Sequence, residues 1–407
     1  MGRSNRSGSS NGAVATCAKP TESPDTRDVV RPALDVAPAM AFTSSRPSPL
    51  RPSVLPLHPL PPRPVVSVAI CTYNYGRFLD ECLDSCRAQT WPPDQVVVVD
   101  DGSCDDTGAV LADYAARYPT SKLEVLRQLN RGMSAATNAA LAACTGDVVL
   151  LLDADDLMLP TRVEQVVGAL RRPVDGGLPG WVHHRIARFS RRHQDLGTMP
   201  HYAGKAPQGV LIDRLLDSAE SPVQTPTSGL AFRRELLVAI GPLDEHRSLP
   251  QDMQLWLAAS LLCPAAWIPE ALSRYRIHGQ SDSAGGMLST LPKVRLMIER
   301  HERLASWLHR VLKRHHPHLA DRLHSVTEQR SYQWLKFLEK WWSGAGKDIP
   351  VLWRLLRHPE NRGAPLQERL YLYSSLVLPK RAFQALSRLL FGASPMKARL
   401  RRMLGRY

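Results

Sequence analysis

Three carboxylates close the run Leu150-Leu151-Leu152-Asp153-Ala154-Asp155-Asp156. The apolar stretch Val148 to Leu152 has the length and composition of a buried strand. Burying that much negative charge is costly unless a cation or hydrogen-bond donors compensate. Asp-x-Asp at the carboxyl end of a parallel strand sets hard oxygen ligands where open α/β sheets bind ligands. Mg²⁺ and Mn²⁺ take such oxygens and share them with substrate phosphates. A strand end followed by a helix cap near Pro160–Val167 would need only one of the three. Two more acidic clusters share the pattern. Val99-Asp100-Asp101-Gly102-Ser103 can accept from the ring N–H of a uracil or thymine base, or from a ribose hydroxyl; the same residues also suit an ordinary turn and cap. Pro250-Gln251-Asp252-Met253 puts Asp252 at a helix start, either as an N-cap or as a base facing the sheet's open edge.

These clusters need a scaffold that brings them together. Val65 to Ile70 is a β-branched run, read as a buried strand, followed by polar Thr72, Tyr73, Asn74 and Gly76. An amphipathic helix is predicted over Arg77–Gln89, with Phe78, Leu79, Cys82, Leu83 and Cys86 on one face. Strands at Gln95–Val99, Leu123–Leu126 and Val148–Leu152 then alternate with helices at Thr107–Arg117 and Ala135–Ala143. Strand, polar turn and helix in alternation predict a parallel sheet with crossover helices. All three polar clusters of this stretch fall at carboxyl ends of strands. Residues 171–250 read as less regular, with His183, His184, Arg185 and an Arg-rich loop near Arg191. Met253 to Leu262 reads as a helix capped by Asp252. Residues 290–390 read as mostly helical, with Trp307, Trp334, Trp341, Trp342 and Trp353 to bury.

In this order and at this spacing, the motifs resemble the inverting family-two glycosyltransferases of the GT-A fold. The resemblance covers about Val65 to Ser283. It rests on Ser67-Val68-Ala69-Ile70-Cys71-Thr72-Tyr73-Asn74, Val99-Asp100-Asp101-Gly102-Ser103 and Asn130-Arg131-Gly132-Met133-Ser134-Ala135-Ala136-Thr137-Asn138. It continues through Leu152-Asp153-Ala154-Asp155-Asp156 and Gln251-Asp252-Met253-Gln254-Leu255-Trp256-Leu257 to Tyr275-Arg276-Ile277-His278. The resemblance implies an α/β GT-A domain: Rossmann-like, with a mostly parallel central sheet and flanking helices. It implies that Thr72, Tyr73, Asn74, Asp101, Asn130, Gly132, Asn138, Asp153 and Arg276 bind the nucleotide sugar. Asp153, Asp155, Asp156 and His278 would hold Mn²⁺ or Mg²⁺, and Asp252 would be the catalytic base. Gln251 stands where the family usually has Glu, and Thr137 where Arg is common. The transmembrane helices and Gln-x-x-Arg-Trp element of the processive polymer synthases are missing, so a single transfer is expected. The implied function is metal-dependent, inverting transfer from a UDP- or dTDP-sugar to a glycan or lipid-linked acceptor in cell-surface polysaccharide synthesis.

Bulk properties frame this reading. The chain has 407 residues and a formal charge of +14. Residues 1–63 are expected to form a disordered Pro/Ser/Arg-rich tail, 64–284 the catalytic domain and 285–407 a basic helical extension. From Gly285 onward there are 24 Lys and Arg against 8 Asp and Glu, so this region carries the whole excess. Such a surface favours an anionic partner, whether lipid headgroups at a membrane surface, an acidic glycan or nucleic acid; a solvated basic face with no partner fits equally well. The mixed apolar and basic stretch Leu370 to Phe391 would serve the first reading, and ordinary packing against the catalytic domain is the alternative. Nucleic acid is not expected, because no recognition motif accompanies the charge. No apolar run is long enough to span a bilayer and no signal-peptide core is found. The seven scattered cysteines fit reduced thiols. The expected location is cytoplasmic, with attachment at the inner face of the membrane as an option. A catalytically silent GT-A module that binds an anionic surface or polymer through its basic tail is the competing functional class. A nucleotidyltransferase would carry a Gly-rich, basic phosphate loop at the first strand, which Thr72-Tyr73-Asn74-Tyr75-Gly76 is not.

Overall fold

Apolar residues alternate sides along each of the first strands, and the two sides nucleate two different cores. In the computed structural model, β1 (Val66–Thr72) sends Val66, Val68 and Ile70 to one face and Ala69 to the other. β2 (Gln95–Asp100) and β4 (Val148–Asp153) divide in the same way: Val96, Val98, Val148 and Leu150 join the first group, Val97, Val99, Val149 and Leu151 the second. A period of two with both sides apolar marks a strand covered on both faces. The first face is covered by α1 (Gly76–Arg87), α2 (Thr107–Arg117) and α4 (Arg162–Arg171). The second is covered by α3 (Met133–Ala143), α6 (Arg234–Ile240) and α7 (Gln251–Leu262).

The structure describes residues 55–190, 192–202, 205–217, 223–278, 290–358 and 366–391, with backbone only at 366–368 and 388–391. All belong to one compact unit, Pro52–Tyr407. Among these residues nine strands form one sheet, ordered β3-β2-β1-β4-β8-β6-β9-β5, with β7 on β6. Here β3 is Leu123–Arg127, β5 Leu157–Met158, β6 Trp181–Ser190, β7 Asp195–Met199, β8 Leu230–Arg233 and β9 Ala265–Ile277. β3, β2, β1 and β4 run parallel, joined by helical crossovers as expected. β8 enters antiparallel to both β4 and β6, and β6 pairs with β9 in parallel.

Three differences from the sequence reading have physical reasons. The span 171–250 is not irregular: it holds β6, β7, α5 (Ile212–Asp217), β8 and α6. β8 is only four residues long, too short to show a period, and β6 carries His183, His184 and Arg185 where alternation would call for apolar residues. Residues 55–63 fall within the segment expected to be disordered, yet they lie on the domain. Leu55 and Leu60 pack against the cores, and Arg233 Nη1 and Arg171 Nη2 donate to the carbonyls of His58, Pro61 and Pro62. Proline removes donors but leaves carbonyls free, so the segment attaches without becoming a strand. The rest of that tail lies outside the described residues. Finally, α7 begins at Gln251 with Pro250 as its N-cap, so Asp252 sits within the first turn rather than capping it.

The C-terminal region is helical: α8 (Leu291–His315), α9 (Arg330–Lys340), α10 (Ile349–Leu356), α11 (Leu366–Val377) and α12 (Lys380–Phe391). α8 bridges the two parts, giving Trp307, Leu308, Val311 and Leu312 to the sheet-side core and Val294 and Ile298 to a separate core with Phe337, Trp341, Trp342 and Phe383. No helix among the described residues is long and apolar enough to cross a membrane. The described cysteines 71, 82, 86, 144 and 263 are free thiols.

Candidate active site

Parallel pairing sets the strand ends side by side. Thr72 lies opposite Asp100, and Cys71 opposite Asp153, so β1, β2 and β4 deliver their polar ends to one edge. Thr72 Oγ1 and Asp156 Oδ2 are buried there without a hydrogen-bond partner, while Asp100 Oδ2 pairs with Arg127 Nε at 3.4 Å. Buried polar atoms are almost always paired, so two orphans at one edge mark a place built for something other than stability.

The β2 end forms a loop around carboxylates. Asp100 Oδ1 accepts from Ser103 N at 2.8 Å, and Asn74, at φ 59°, accepts from Cys104 N through Oδ1 at 2.7 Å. Asp101 accepts from Gln128 Nε2, Arg131 N and Gly132 N, at 2.7, 2.9 and 2.8 Å. Gly132, at φ 93°, makes the turn into α3 that brings two successive amides to one carboxylate. Asp101 therefore has three internal donors already, with lone-pair capacity for about one more. Tyr73 is partly exposed beside this loop. Asn130 Oδ1 accepts from Arg247. Asn138 is committed elsewhere: its amide donates to Leu243 O and accepts from Leu243 N, holding the loop before α7.

The acidic trio splits. Asp155 Oδ2 lies 2.7 Å from His278 Nε2. Asp156 is fully buried and accepts the Arg276 N–H at 2.8 Å, which fastens the end of β9 to the turn after β4. Burial first, then the charges of Asp155 and Asp153, push the Asp156 carboxyl well above its ordinary range; the Ser228 hydroxyl and the Arg276 amide oppose this. Asp156 holds the loop of the trio from beneath through Oδ1, and its Oδ2 has no hydrogen-bond partner. Arg276 departs from expectation. Its guanidinium donates to Glu81 Oε2 at 2.5 Å and Asp155 O at 2.7 Å, and lies over Phe78 and Phe189, so it organises the loop instead of facing outward. His278 rests against Tyr75 and Phe78, ring centres 5.7 and 5.1 Å away.

A 3₁₀ turn, Thr227–Gly229, joins this cluster to α7. Ser228 Oγ accepts from Asp153 N at 3.0 Å, and Thr227 Oγ1 accepts from Gln251 Nε2 at 3.1 Å. Asp153, Thr227 and Gln251 line one cleft with Cys71 and Thr137. Asp252 follows directly, half-buried, its Oδ1 accepting from Met253 N at 2.8 Å. Burial raises the Asp252 pKa above the ordinary carboxylate value, opposed by that amide and by Arg300.

Beneath the trio lies a residue that the sequence reading missed. Arg162 is fully buried; Nη2 donates to Leu151 O and Leu230 O, and Nε to His184 Nε2 at 3.1 Å. Registered pairing of β4 with β8 ends at Leu150↔Ala231, and the guanidinium takes up carbonyls just past that point. His184 is neutral, since Nε2 accepts here and Nδ1 donates to Arg185 O; burial and the Arg162 charge lower its pKa well below normal. The available signal was a cation in the first turn of an apolar helix, where the helix dipole disfavours it. Glu81 and Ser228 were missed because nothing local distinguishes them from surface residues.

No three His, Cys, Asp or Glu side chains among the described residues converge as a ready-made metal site. The donor set nevertheless suits a hard cation: carboxylates of Asp153 and Asp155, the imidazole of His278, and an unpartnered Asp156 oxygen behind them.

The chain is similar to known proteins. The family model described as Glycosyl transferase family 2 matches residues 67–234, from β1 to the start of α6. An uncharacterised glycosyltransferase of Nostoc sp. is 30% identical over 231 residues, which are 55% of this chain and 68% of that protein. Chondroitin synthase of Escherichia coli is 34% identical over 109 residues, 27% of this chain but only 16% of that protein. A mannosyltransferase of Pyrobaculum calidifontis, solved with GDP-mannose and Mn²⁺, is similar at a TM-score of 0.43 and 21% identity, covering 84% of this chain and 88% of that one. With the profile spanning the β1, β2 and β4 ends and the Nostoc enzyme aligned over two thirds of its length, the chain belongs to glycosyl transferase family 2 and is a glycosyltransferase of the GT-A fold.

Proposed function

We propose that this glycosyltransferase is metal-dependent and inverting. It moves a sugar from a UDP- or dTDP-sugar to a hydroxyl of a glycan or lipid-linked acceptor, in the assembly of a cell-surface polysaccharide. The observation that carries the reading is the convergence of Thr72, Asp100, Asp101 and the Asp153–Asp156 trio at one sheet edge, joined to Asp252 through Thr227 and Gln251. Asp101, Thr72 and Asn74 serve the nucleotide; Asp101 accepts the base N–H with its remaining capacity. Asp153, Asp155 and His278 would hold Mn²⁺ or Mg²⁺, which neutralises the charge that grows on the departing diphosphate. Asp156 and Arg276 support these ligands from behind.

Asp252 takes the proton of the acceptor hydroxyl. That oxygen forms a bond to the anomeric carbon as the bond from the carbon to the diphosphate breaks, and the electron pair leaves with the nucleoside diphosphate. One base opposite the leaving group gives in-line displacement and inversion. The neutral Gln251, tied to Thr227, adds no like charge beside Asp252. The raised pKa of Asp252 makes it a stronger base once ionised. The test is calorimetry with UDP, with and without Mn²⁺, followed by nucleoside diphosphate release from a panel of nucleotide sugars. Binding that needs the metal, and release lost in Asp155→Ala, are expected. Equal UDP affinity in EDTA would end the metal reading, and release at full rate in Asp252→Asn would end the base assignment.

A further inference from the structure

The core of the C-terminal helices closes without some of its largest apolar residues. Leu352, Leu355, Leu356, Tyr371 and Phe383 turn inward against Trp341, Trp342 and Phe337. On the outer side of α10, Ile349 and Trp353 are four residues apart and 43% and 49% exposed. On α11, Leu370, Tyr373 and Val377 fall at i, i+3 and i+7, with exposures of 58%, 43% and 80%. Each set makes one stripe on its helix. Lys347 Nζ donates to Leu376 O and Leu378 O, at 2.9 and 3.0 Å, which sets the start of α10 beside the end of α11. The Ile349 end of one stripe therefore lies by the Val377 end of the other.

Cations accompany these stripes. A surface groove is lined by Pro350, Trp353, Arg354, Arg357 and His358. The Arg357 guanidinium stands 5.7 Å from the Trp353 ring centre. Asp348, which pairs with Lys340, also lies within the field of Arg354. From Pro350 to the end the sequence has 12 Lys and Arg against 2 Asp and Glu. Exposed Trp, Tyr and aliphatic side chains rimmed by cations match a bilayer interface: apolar tips enter the headgroup boundary while guanidinium groups meet anionic lipid. A second copy of the chain would instead set cation against cation.

We infer that the α10–α11 face docks the protein on an anionic lipid bilayer, with Ile349, Trp353, Leu370, Tyr373 and Val377 entering the interface. This is independent of the proposed catalytic roles. The test is co-sedimentation of the full chain with vesicles of phosphatidylcholine alone, or mixed with phosphatidylglycerol. Binding to the mixed vesicles only, reversed by salt, is expected. Ile349→Glu with Val377→Glu should weaken it by about tenfold or more, and Arg354→Gln with Arg357→Gln by about tenfold, since each cation near an anionic surface contributes several-fold. Val377→Leu should keep full binding. These positions are exposed, and unchanged circular dichroism checks the fold. Undiminished binding of the glutamate pair would overturn the inference in favour of another basic segment. Equal binding to uncharged vesicles, pelleting without vesicles, or no binding at all would overturn it too.

Discussion

Replacing Arg162 by Met tests whether the acidic turn depends on the cation beneath it. The substitution keeps most of the side-chain volume but strips donors from Leu151 O, Leu230 O and His184 Nε2. Each buried acceptor left unpaired costs about 1–3 kcal/mol, or about 6 kcal/mol for three at the middle of that range. Against this, the guanidinium no longer has to be desolvated. Its pKa, pushed down by burial from 12.5 to about 10, puts that cost at about 3 kcal/mol. The unpaired acceptors win by about 3 kcal/mol, which for a domain of this size lowers Tm by about 6–12 °C. Differential scanning calorimetry reads the shift. Arg162→Lys, which reaches fewer acceptors, should fall between. A second readout follows from His184: without the neighbouring cation its titration moves up toward the ordinary range, visible by NMR. A Tm within about 2 °C of wild type, with His184 unmoved, would refute the argument that this guanidinium holds the end of the β4–β8 ladder.

Other outcomes follow from the site. Asp252→Asn keeps the acceptor for Met253 N–H but removes the base, so kcat should fall by about 10²–10⁴ with UDP affinity unchanged in calorimetry. Because Asp252 must be ionised and its pKa is raised, activity of the wild type should be lost on acidification at a pH above the usual carboxylate value of about 3.9; a kcat/KM profile flat to lower pH would contradict this. Asp155→Ala and His278→Ala should each weaken Mn²⁺-dependent UDP binding in calorimetry by at least about tenfold, and undiminished binding in both would remove them as ligands. His183, buried between Pro207 O and Thr225 Oγ1, has its pKa lowered by burial from 6.5 to about 4. The unfolded chain binds that proton first. His183 therefore contributes stability in full above about pH 6.5, lost progressively as pH falls to about 4 and worth about 3 kcal/mol. Urea midpoints of wild type and His183→Gln across this window should converge at acid pH; parallel curves would remove the assignment.

The parallel half of the sheet could be read from the chain because each of its strands is a β-branched run ending in polar residues, with a complete amphipathic helix between. The second half could not. β8 is four residues, and β6 spends its inward positions on histidines that find partners only in the folded state, His183 on Pro207 and His184 on Arg162. The same limit applied to the site. Carboxylates at strand ends were visible as clusters. Which of them face outward depends on contacts from far along the chain: Arg276 on Asp156 and Asp155, Glu81 on Arg276, and Leu243 on Asn138. Spacing reveals that acids lie together but not which backbone amide claims each oxygen.

Thr227–Gly229 has an effect beyond its three residues. One end clasps the strand that bears the acidic trio and the other clasps the helix that bears Asp252. It has no slack, because a methyl group on Gly229 would come within 2.3 Å of Thr225 Cγ2. A single hinge pin thus fixes the acidic turn and the start of α7 relative to each other.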